Sequence, residues 1–525
     1  MNPSKLKILT GRDFRLAAYV IVFLSVLSLI GRYTPDYLTH QVLSAVVDTL
    51  FLYLILVACR VRSWVQYTIG VALRFYLCVY FAVCVYHWSL YGQLPGLPAI
   101  YALLDTNGAE AVGFLIGTSN WRSLLITFVS LMGMLILMKG TEVQIVRPPV
   151  ALSYVLIAFG IGLASSTHPI VYTNNPLLFS AINFREAIAQ KAQFKKMLSR
   201  LAHDNANAIA VRQLSDHIIV IGESLSKRHM QLYGYARETN PKLSEMKSSL
   251  FVDQNAYSNH GTTVLSLLDM LTVNKGDQDN EERATFISLI KQAGYRVAWI
   301  SNQQSVGDAD TWVSVLAGQG DRTYFLNRRG WTEGVSFDSV VLPELENELH
   351  NVGPEIIFVH LLGSHAAYGF RYPATYSYFN QCSQRILGCA GGFLVSKVDE
   401  YDNSVRYNDA IVAEIIKIAM RNNVASVTYL SDHGESLGAN SVFGHEENTG
   451  NPDIHRVPLL FYIRPGYEVD RDTLRANLNR CWVNSSFIST MSDLIGVRHD
   501  LFVESKSLFR KAYQEDSEIC TRFAR

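Results

Sequence analysis

Two regimes of hydrophobic patterning divide this chain. Up to about residue 165 apolar positions run almost without interruption, and beyond it they come in short bursts between polar stretches. Five runs in the first regime, at 14–30, 42–59, 64–90, 121–138 and 149–165, approach or exceed the roughly 20 residues that a helix needs to cross a hydrocarbon core. They predict a helical membrane anchor. No small-residue cleavage site follows the first run and further runs come after it, which argues against a cleaved signal peptide. Basic residues cluster before run one (Lys5, Lys7, Arg12, Arg15), between runs two and three (Arg60, Arg62) and between runs four and five (Lys139, Arg147); the alternate connections carry Arg32 and Arg122. Cytoplasmic loops hold the excess of Lys and Arg, so the expected N-terminus is cytoplasmic and an odd number of spans delivers the remainder to the outer side. Asp48 and Arg74 fall inside the runs. Intramembrane charges are functional candidates by default, but snorkelling at an interface is the expectation for both.

From His217 the pattern changes to short Val- and Ile-rich bursts at 217–221, 295–300, 355–359, 425–430 and 457–463, alternating with helical spacing at 285–293, 404–421 and 472–478. Such alternation predicts an α/β domain with a mostly parallel sheet sandwiched by helices. Between the two regimes, 178–201 places Phe179, Ile182, Ala187, Phe194, Met197, Leu198 and Leu201 at helical spacing among Arg185, Lys191, Lys195, Lys196 and Arg200. This is the pattern of a basic amphipathic helix, able to lie on a membrane surface or to pack on the domain. The expected organisation is therefore an anchor at 1–166, an amphipathic linker at 167–213 and an outward-facing domain at 214–525.

Composition changes this picture little. The 46 Lys and Arg balance the 46 Asp and Glu, so nothing suggests a nucleic-acid partner. Cys59, Cys78 and Cys84 lie in apolar runs and are expected to be free. Cys382, Cys389, Cys481 and Cys520 lie in the outward part, where disulfides form. A Cys382–Cys389 bridge is expected, with Cys481 and Cys520 as a second candidate pair.

The candidate chemistry stands where the predicted strands end. Gly222-Glu223-Ser224 follows the first strand, His360 and Gly363-Ser364-His365 follow the third, and Ser431-Asp432-His433-Gly434-Glu435-Ser436 follows the fourth, with Gly444-His445 further on. Ligands of open α/β sheets bind beyond the carboxyl ends of the strands, and carboxylates with imidazoles there suit a divalent metal. The segment Ser258-Asn259-His260-Gly261-Thr262-Thr263 enters an apolar helical run. A Thr at that point is either an N-cap or a nucleophile made reactive by a neighbouring cation, and the two roles are compatible. Glu435 and His455 are candidate orienting residues beside the metal motif, with surface roles equally open.

In combination these motifs resemble the membrane phosphoethanolamine transferases of the bacterial envelope, within the alkaline phosphatase and sulfatase superfamily. The resemblance rests on GESLSKRHMQLYGYARETNP (222–241), HLLGSH (360–365), EYDNSVRYND (400–409) with its YDN-x-x-x-Y-x-D pattern, and SDHGESLG followed by Gly444-His445. It implies that Glu223, Asp432, His433 and Thr263 hold a catalytic Zn2+, with Mn2+ the lesser alternative. It also implies that Thr263, three residues before Ser266, is the catalytic nucleophile, Thr262 being the alternative. His360, His365 and His445 would contact the transferred group or a second zinc. Thr106 and Glu110 match positions used for the lipid headgroup, and Asn302 lies where relatives touch substrate. The chain departs from the family at Ser266-Leu267-Leu268-Asp269-Met270, where a Pro-Cys pair is common, and at Gln303-Gln304-Ser305, where some relatives carry a Lys.

The implied reaction moves phosphoethanolamine from phosphatidylethanolamine to Thr263, then to a hydroxyl of an envelope glycan or glycolipid such as lipid A, the lipopolysaccharide core or a periplasmic glucan. The implied location is the bacterial inner membrane, multi-pass, with a periplasmic catalytic domain. Alternatives are a phosphoglycerol transferase of the lipoteichoic-acid-synthase type, a plain phosphodiesterase and a non-catalytic sensor of envelope lipids. A formylglycine-dependent sulfatase is disfavoured because no Cys or Ser followed by x-Pro-x-Arg stands near Thr262 and Thr263.

Overall fold

The computed structural model describes residues 12–30, 35–59, 64–91, 95, 121–138, 147–166, 177, 185, 188, 207–274, 283–303, 312–327, 336–351, 353–366, 368–380, 393–438, 443–445 and 451–523. They belong to two compact units. The first contains helices α1 (Arg12–Ile30), α2 (Pro35–Ala58), α3 (Trp64–Tyr91), α4 (Trp121–Met138) and α5 (Pro148–Ser166), which coincide with the five apolar runs. Within α3, 68–89 is long and apolar enough to cross a membrane. Many of its apolar side chains point outward, Phe75 being 71% exposed and Trp64 81%. Large outward-facing apolar side chains suit a lipid surround better than water.

In this unit one arginine is paired and two aspartates are buried. Arg74 donates from NH2 to both carboxylate oxygens of Asp13 at 3.1 Å, joining α3 to α1, and Asp13 is fully buried. Asp48 is also fully buried. A charge inside the bundle that finds a partner there avoids facing hydrocarbon, and Asp13 lay outside the apolar run in which the charges had been sought.

The second unit is built on a seven-stranded sheet: β1 (His217–Gly222), β2 (Leu250–Asp253), β3 (Arg296–Ser301), β4 (Arg322–Phe325), β5 (Glu355–His360), β6 (Ser426–Ser431) and β7 (Leu459–Ile463). Their order across the sheet is β2-β7-β6-β1-β5-β3-β4. All run parallel except β7, which is antiparallel to both of its neighbours. Side chains alternate between the two faces of a strand. On β1, Ile219 and Ile221 join one buried cluster with Trp299, Phe358 and Phe461, while Ile218 and Val220 join the other with Val359, Tyr401 and Tyr429. Both faces are thus covered, which is why the central strands read as unbroken apolar runs.

Five of these strands match the predicted segments; the two edge strands β2 and β4 do not appear among them. Two helices matter for the site: α6 (Thr263–Leu271) and α7 (Phe393–Arg421). The 178–201 amphipathic stretch lies outside the described residues but for isolated positions. So do Cys382 and Cys389. Cys481 and Cys520 are disulfide-bonded.

His217 opens the central strand. It is fully buried, with Nδ1 2.8 Å from Ser426 Oγ and Nε2 3.3 Å from Tyr467 OH. Burial pushes its imidazole down to about 3, aided by the charges of Arg212 and Arg464. An unfolded histidine takes a proton near pH 6.5, whereas the folded one stays neutral to about 3. Acid between those limits therefore favours the unfolded chain, by up to about 1.4 kcal/mol per pH unit for one such group. The thermal midpoint of the detergent-solubilised protein should fall below pH 6.5, and His217→Gln should flatten that decline. An identical slope in both proteins would contradict the assignment.

Candidate metal centre

The carboxyl ends of the adjacent parallel strands β1 and β6 set the core of the site. The chain leaves β1 at Gly222 and places Glu223 next; it leaves β6 at Ser431 and places Asp432 and His433 next. The three side chains are almost completely buried, and their candidate ligand atoms lie within 4.8 Å of one another. His433 Nε2 is 3.4 Å from Glu223 Oε1 and 3.4 Å from Asp432 Oδ2. Thr263, the first residue of α6, brings Oγ1 to 3.2 Å from both carboxylate oxygens of Glu223 and 3.5 Å from His433 Nε2. Thr262 is the N-cap of α6, and its side chain makes no capping hydrogen bond.

Backbone groups and neighbours aim these side chains. Asp432 Oδ1 accepts from the amides of Ser224 at 3.0 Å and His433 at 2.7 Å. His433 Nδ1 lies 2.8 Å from Gly434 O; a carbonyl only accepts, so Nδ1 carries a proton and Nε2 is the nitrogen turned to the site. Ser224 Oγ donates to Glu223 Oε1 at 2.9 Å, and Ser224 itself has φ 54°. Left-handed backbone is costly for a residue other than Gly, Asn or Asp and gathers at functional sites. Gly363 has φ 55°, and a Cβ there would meet Glu223 O at 2.6 Å, so glycine is what lets the His360–His365 loop close on the metal loop.

The electrostatics favour a cation. Burial raises the Asp432 carboxyl, and the charge of Glu223 raises it further, to about 7. Burial would also raise Glu223, but the hydrogen bond and charge of His433 hold it below the usual carboxylate range. Burial opposes a charge on His433, yet Asp432 and Glu223 outweigh it and lift the imidazole to about 10. A proton on His433 is thus what the pocket itself supplies against two close carboxylates. Asp432 Oδ2 makes no hydrogen bond among the described residues although it is buried, a costly state for a carboxylate oxygen. Two carboxylates and an imidazole nitrogen fit a divalent cation such as zinc or manganese.

Around this core stand the three other histidines. His445 is half-buried; its ring centroid lies 4.4 Å from that of His433, and its Nδ1 is 2.7 Å from Glu435 Oε2. Glu435 is buried and accepts from Tyr368 OH at 2.5 Å, so it orients His445 and is not a surface residue. His360 ends β5, buried, with Nδ1 3.5 Å from Ser301 Oγ and Nε2 lacking a hydrogen-bond partner among the described residues. Burial pushes both His360 and His365 down to about 4, so both are neutral imidazoles near pH 7. Arg371 NH2 lies 3.5 Å from His365 Nδ1.

Asn302 stands just beyond the carboxyl end of β3. It is fully buried, its Nδ2 donates to Asp338 Oδ1 at 2.9 Å, and its Oδ1 accepts from Ser336 at 2.6 Å. Asp338 in turn accepts from the amides of Leu362 and Gly363. Asn302 thus acts on the histidine loop through Asp338. Thr106 and Glu110 lie outside the described residues.

The YDN motif, to which the sequence assigned no role, proves to be a clamp on α7. Tyr401 OH donates to Ser224 O at 2.7 Å and accepts from Ser226 N at 2.9 Å. Asp402 takes hydrogen bonds from Tyr235 OH at 2.8 Å and Arg237 NH1 at 2.7 Å and lies 2.8 Å from His229 Nδ1. Asp399 pairs with Arg237 NH2 at 2.7 Å. Asp409 accepts from the amides of Lys242 and Leu243. The whole 224–243 segment behind Glu223 is therefore fastened to one face of one helix.

A mostly parallel sheet with a candidate metal cluster and a helix-borne threonine at its carboxyl edge fits a domain of the alkaline phosphatase type. Residues 215–497 match the Sulfatase family model, and the chain belongs to that family. It is similar to the phosphoethanolamine transferase EptC of Escherichia coli K12, at 26% identity over 83% of this chain and 80% of that protein. It is also similar to the Kdo(2)-lipid A phosphoethanolamine 7''-transferase of Salmonella typhimurium, at 29% identity over 48% and 44%. Among solved structures, the C-terminal periplasmic domain of E. coli EptC in complex with Zn matches with TM-score 0.55 and 27% identity, over 59% of this chain and 90% of that domain. The integral membrane protein EptA of Neisseria meningitidis matches with TM-score 0.69 and 18% identity, over 95% and 98%. The last match extends the shared fold through the helical unit, so the chain has a helical N-terminal region followed by a sulfatase-like domain.

Tyr401→Phe keeps the ring and removes both hydrogen bonds to the 224–226 backbone. Support of this kind is worth about 10–100-fold in metal affinity or activity. Zinc titration against a competing chelator should register a loss of that order, and unchanged affinity would show that the clamp does not set the ligand geometry.

Proposed function

We propose that this protein transfers phosphoethanolamine from phosphatidylethanolamine to an envelope glycan or glycolipid, through a covalent intermediate on Thr263. The observation that carries the reading is the 3.2 Å approach of Thr263 Oγ1 to the buried Glu223 carboxylate within a metal-type cluster. Glu223, Asp432 and His433 would hold a zinc ion, as the relative's zinc complex suggests, with Thr263 beside it. When bound, the ion lowers the pKa of a neighbouring hydroxyl and draws charge from a phosphoryl oxygen.

The remaining roles belong to the chain. Thr263 Oγ attacks phosphorus and loses its proton, the bond from phosphorus to the glycerol oxygen breaks, and the departing diacylglycerol oxygen takes up a proton, so none is gained or lost overall. An acceptor hydroxyl then attacks the same phosphorus, and Thr263 is released as the free alcohol. Two displacements replace one harder one. Neutral His360 and His365 donate hydrogen bonds to the phosphoryl oxygens. His445, held at Nδ1 by Glu435, presents Nε2 to the same group.

Placing donor and acceptor amphiphiles near the reacting groups is the reason for a membrane anchor. In this reading residues 1–166 cross the bacterial inner membrane five times from a cytoplasmic N-terminus. The domain at 214–525 then works in the periplasm, joined by the 167–213 linker. Thr106 and Glu110 would meet the lipid headgroup, a carboxylate facing the ethanolamine ammonium.

Purified protein incubated with phosphatidylethanolamine should yield a phosphoethanolamine adduct on the peptide carrying Thr263, together with free diacylglycerol. Thr263→Ala should lose the adduct and at least about 10³-fold of transfer, the scale of a deleted nucleophile, while Thr262→Ala should retain both. An adduct with the mass of phosphoglycerol from phosphatidylglycerol would instead support the rival transferase. No adduct with either lipid would support a sensor.

A further inference from the structure

Three loops carry the site: 223–227 after β1, 258–263 leading into α6, and 432–435 after β6. One short segment, 453–456, touches all of them. Ile454 O accepts from Gly434 N at 2.7 Å, and Arg456 O accepts from Lys227 N at 3.1 Å. His455 grips Ser258 at two points: its carbonyl accepts from Ser258 N at 2.8 Å, and its Nδ1 donates to Ser258 O at 2.9 Å. The fit is close, since a Cβ on Gly434 would come within 2.3 Å of Asp453 O. Ser258 passes the constraint onward. Its Oγ lies 2.9 Å from Ser266 Oγ, one turn into the helix that starts at Thr263, and accepts from Asn484 Nδ2 at 3.1 Å.

The segment is itself held by the C-terminal helix Ser517–Phe523. The Phe523 ring stacks on the His455 ring, with centroids 3.8 Å apart at 18°, and Phe523 O accepts from Arg456 NH2 at 3.2 Å. Phe523 also stacks on Tyr257 at 6.0 Å. The Cys481–Cys520 disulfide staples this helix to the strand Trp482–Val483. That strand pairs with Ala256–Tyr257, the two residues immediately before Ser258. The staple and the aromatic stack therefore converge on the same loop from two directions.

We propose that the disulfide-stapled C-terminal helix is a positioning element for the reaction, acting through Phe523 and His455 on Ser258, and that transfer consequently depends on the oxidised state of Cys481 and Cys520. This rests on the reading of Thr263 as the nucleophile. Reduction by a dithiol opens the S–S bond, with two electrons and two protons passing to Cys481 and Cys520 while the dithiol closes to a cyclic disulfide. The helix then keeps only its packing. A displacement of about 1 Å in a reacting group is enough to cost on the order of a hundredfold in rate.

The test uses the full chain in detergent and compares wild type with Phe523→Ala, Phe523→Tyr and a Cys481→Ala/Cys520→Ala double variant. The readouts are kcat and KM for phosphatidylethanolamine, and bound zinc. Phe523→Ala and the double variant should each lose about ten- to a hundredfold in kcat, with KM within about twofold and zinc content unchanged. Phe523→Tyr, which keeps the stacked ring, should stay near wild type. Dithiothreitol should lower the wild-type rate towards that of the double variant and act much less on the double variant. The proposal is overturned if kcat is unchanged in Phe523→Ala and the double variant, if Phe523→Tyr is as impaired as Phe523→Ala, or if the double variant responds to the dithiol as strongly as wild type. Loss of zinc or a general rise in KM overturns it as well. Wild type that forms no adduct and transfers nothing would instead remove the underlying functional reading.

Discussion

Two buried carboxylates brought together at the ends of neighbouring parallel strands are the constraint on which this domain turns. Glu223 and Asp432 lose most of their hydration, and like charges at close range in a protein interior repel strongly. Protonation of Asp432, whose carboxyl is raised to about 7, or a positive charge between the two relieves the repulsion. The His433 proton can supply one unit, and its imidazole is raised accordingly to about 10. A divalent ion would supply two, and Asp432 Oδ2, which has no hydrogen bond among the described residues, is free to face it. The energetic problem and the catalytic opportunity are the same feature, because whatever offsets the carboxylates also lies beside Thr263.

Much of the surrounding architecture can be read as the means of holding that unfavourable pair in place. Tyr401, Asp402 and Asp409 project from one helix and fasten twenty residues behind Glu223. Backbone amides fix Asp432, and Gly434 O fixes the His433 tautomer. Segment 453–456 ties the third loop to the other two. Partners of this sort set ligand orientation and are as much a part of a metal site as the ligands.

The sequence made the centre of this structure legible and its periphery much less so. The five central strands are buried on both faces, so they stand out as apolar runs, and the candidate metal residues sit immediately after two of them, β1 and β6. Edge strands β2 and β4 are short; Leu250–Asp253 and Arg322–Phe325 gain their conformation from pairing with one neighbour, a tertiary effect with no local signature. Asp338 is equally silent, since nothing around it in sequence announces that it will hold Asn302 and the 362–363 amides. The partners of Asn302 are likewise invisible in the sequence, because its hydrogen bonds to Asp338 and Ser336 depend on how distant segments pack. Arg74 could be seen to need a partner, but that Asp13 would be the partner depended on how the helices pack.

The central claim is that Glu223, Asp432, His433 and Thr263 together surround a cation. Anomalous diffraction collected on either side of the zinc absorption edge, from crystals of the protein grown with zinc, tests it directly. The account predicts a peak within bonding distance of Glu223, Asp432 and His433 and adjacent to Thr263 Oγ1. Zinc found elsewhere on the domain, with the Glu223–Asp432–His433 cluster metal-free at saturating ion, would contradict it.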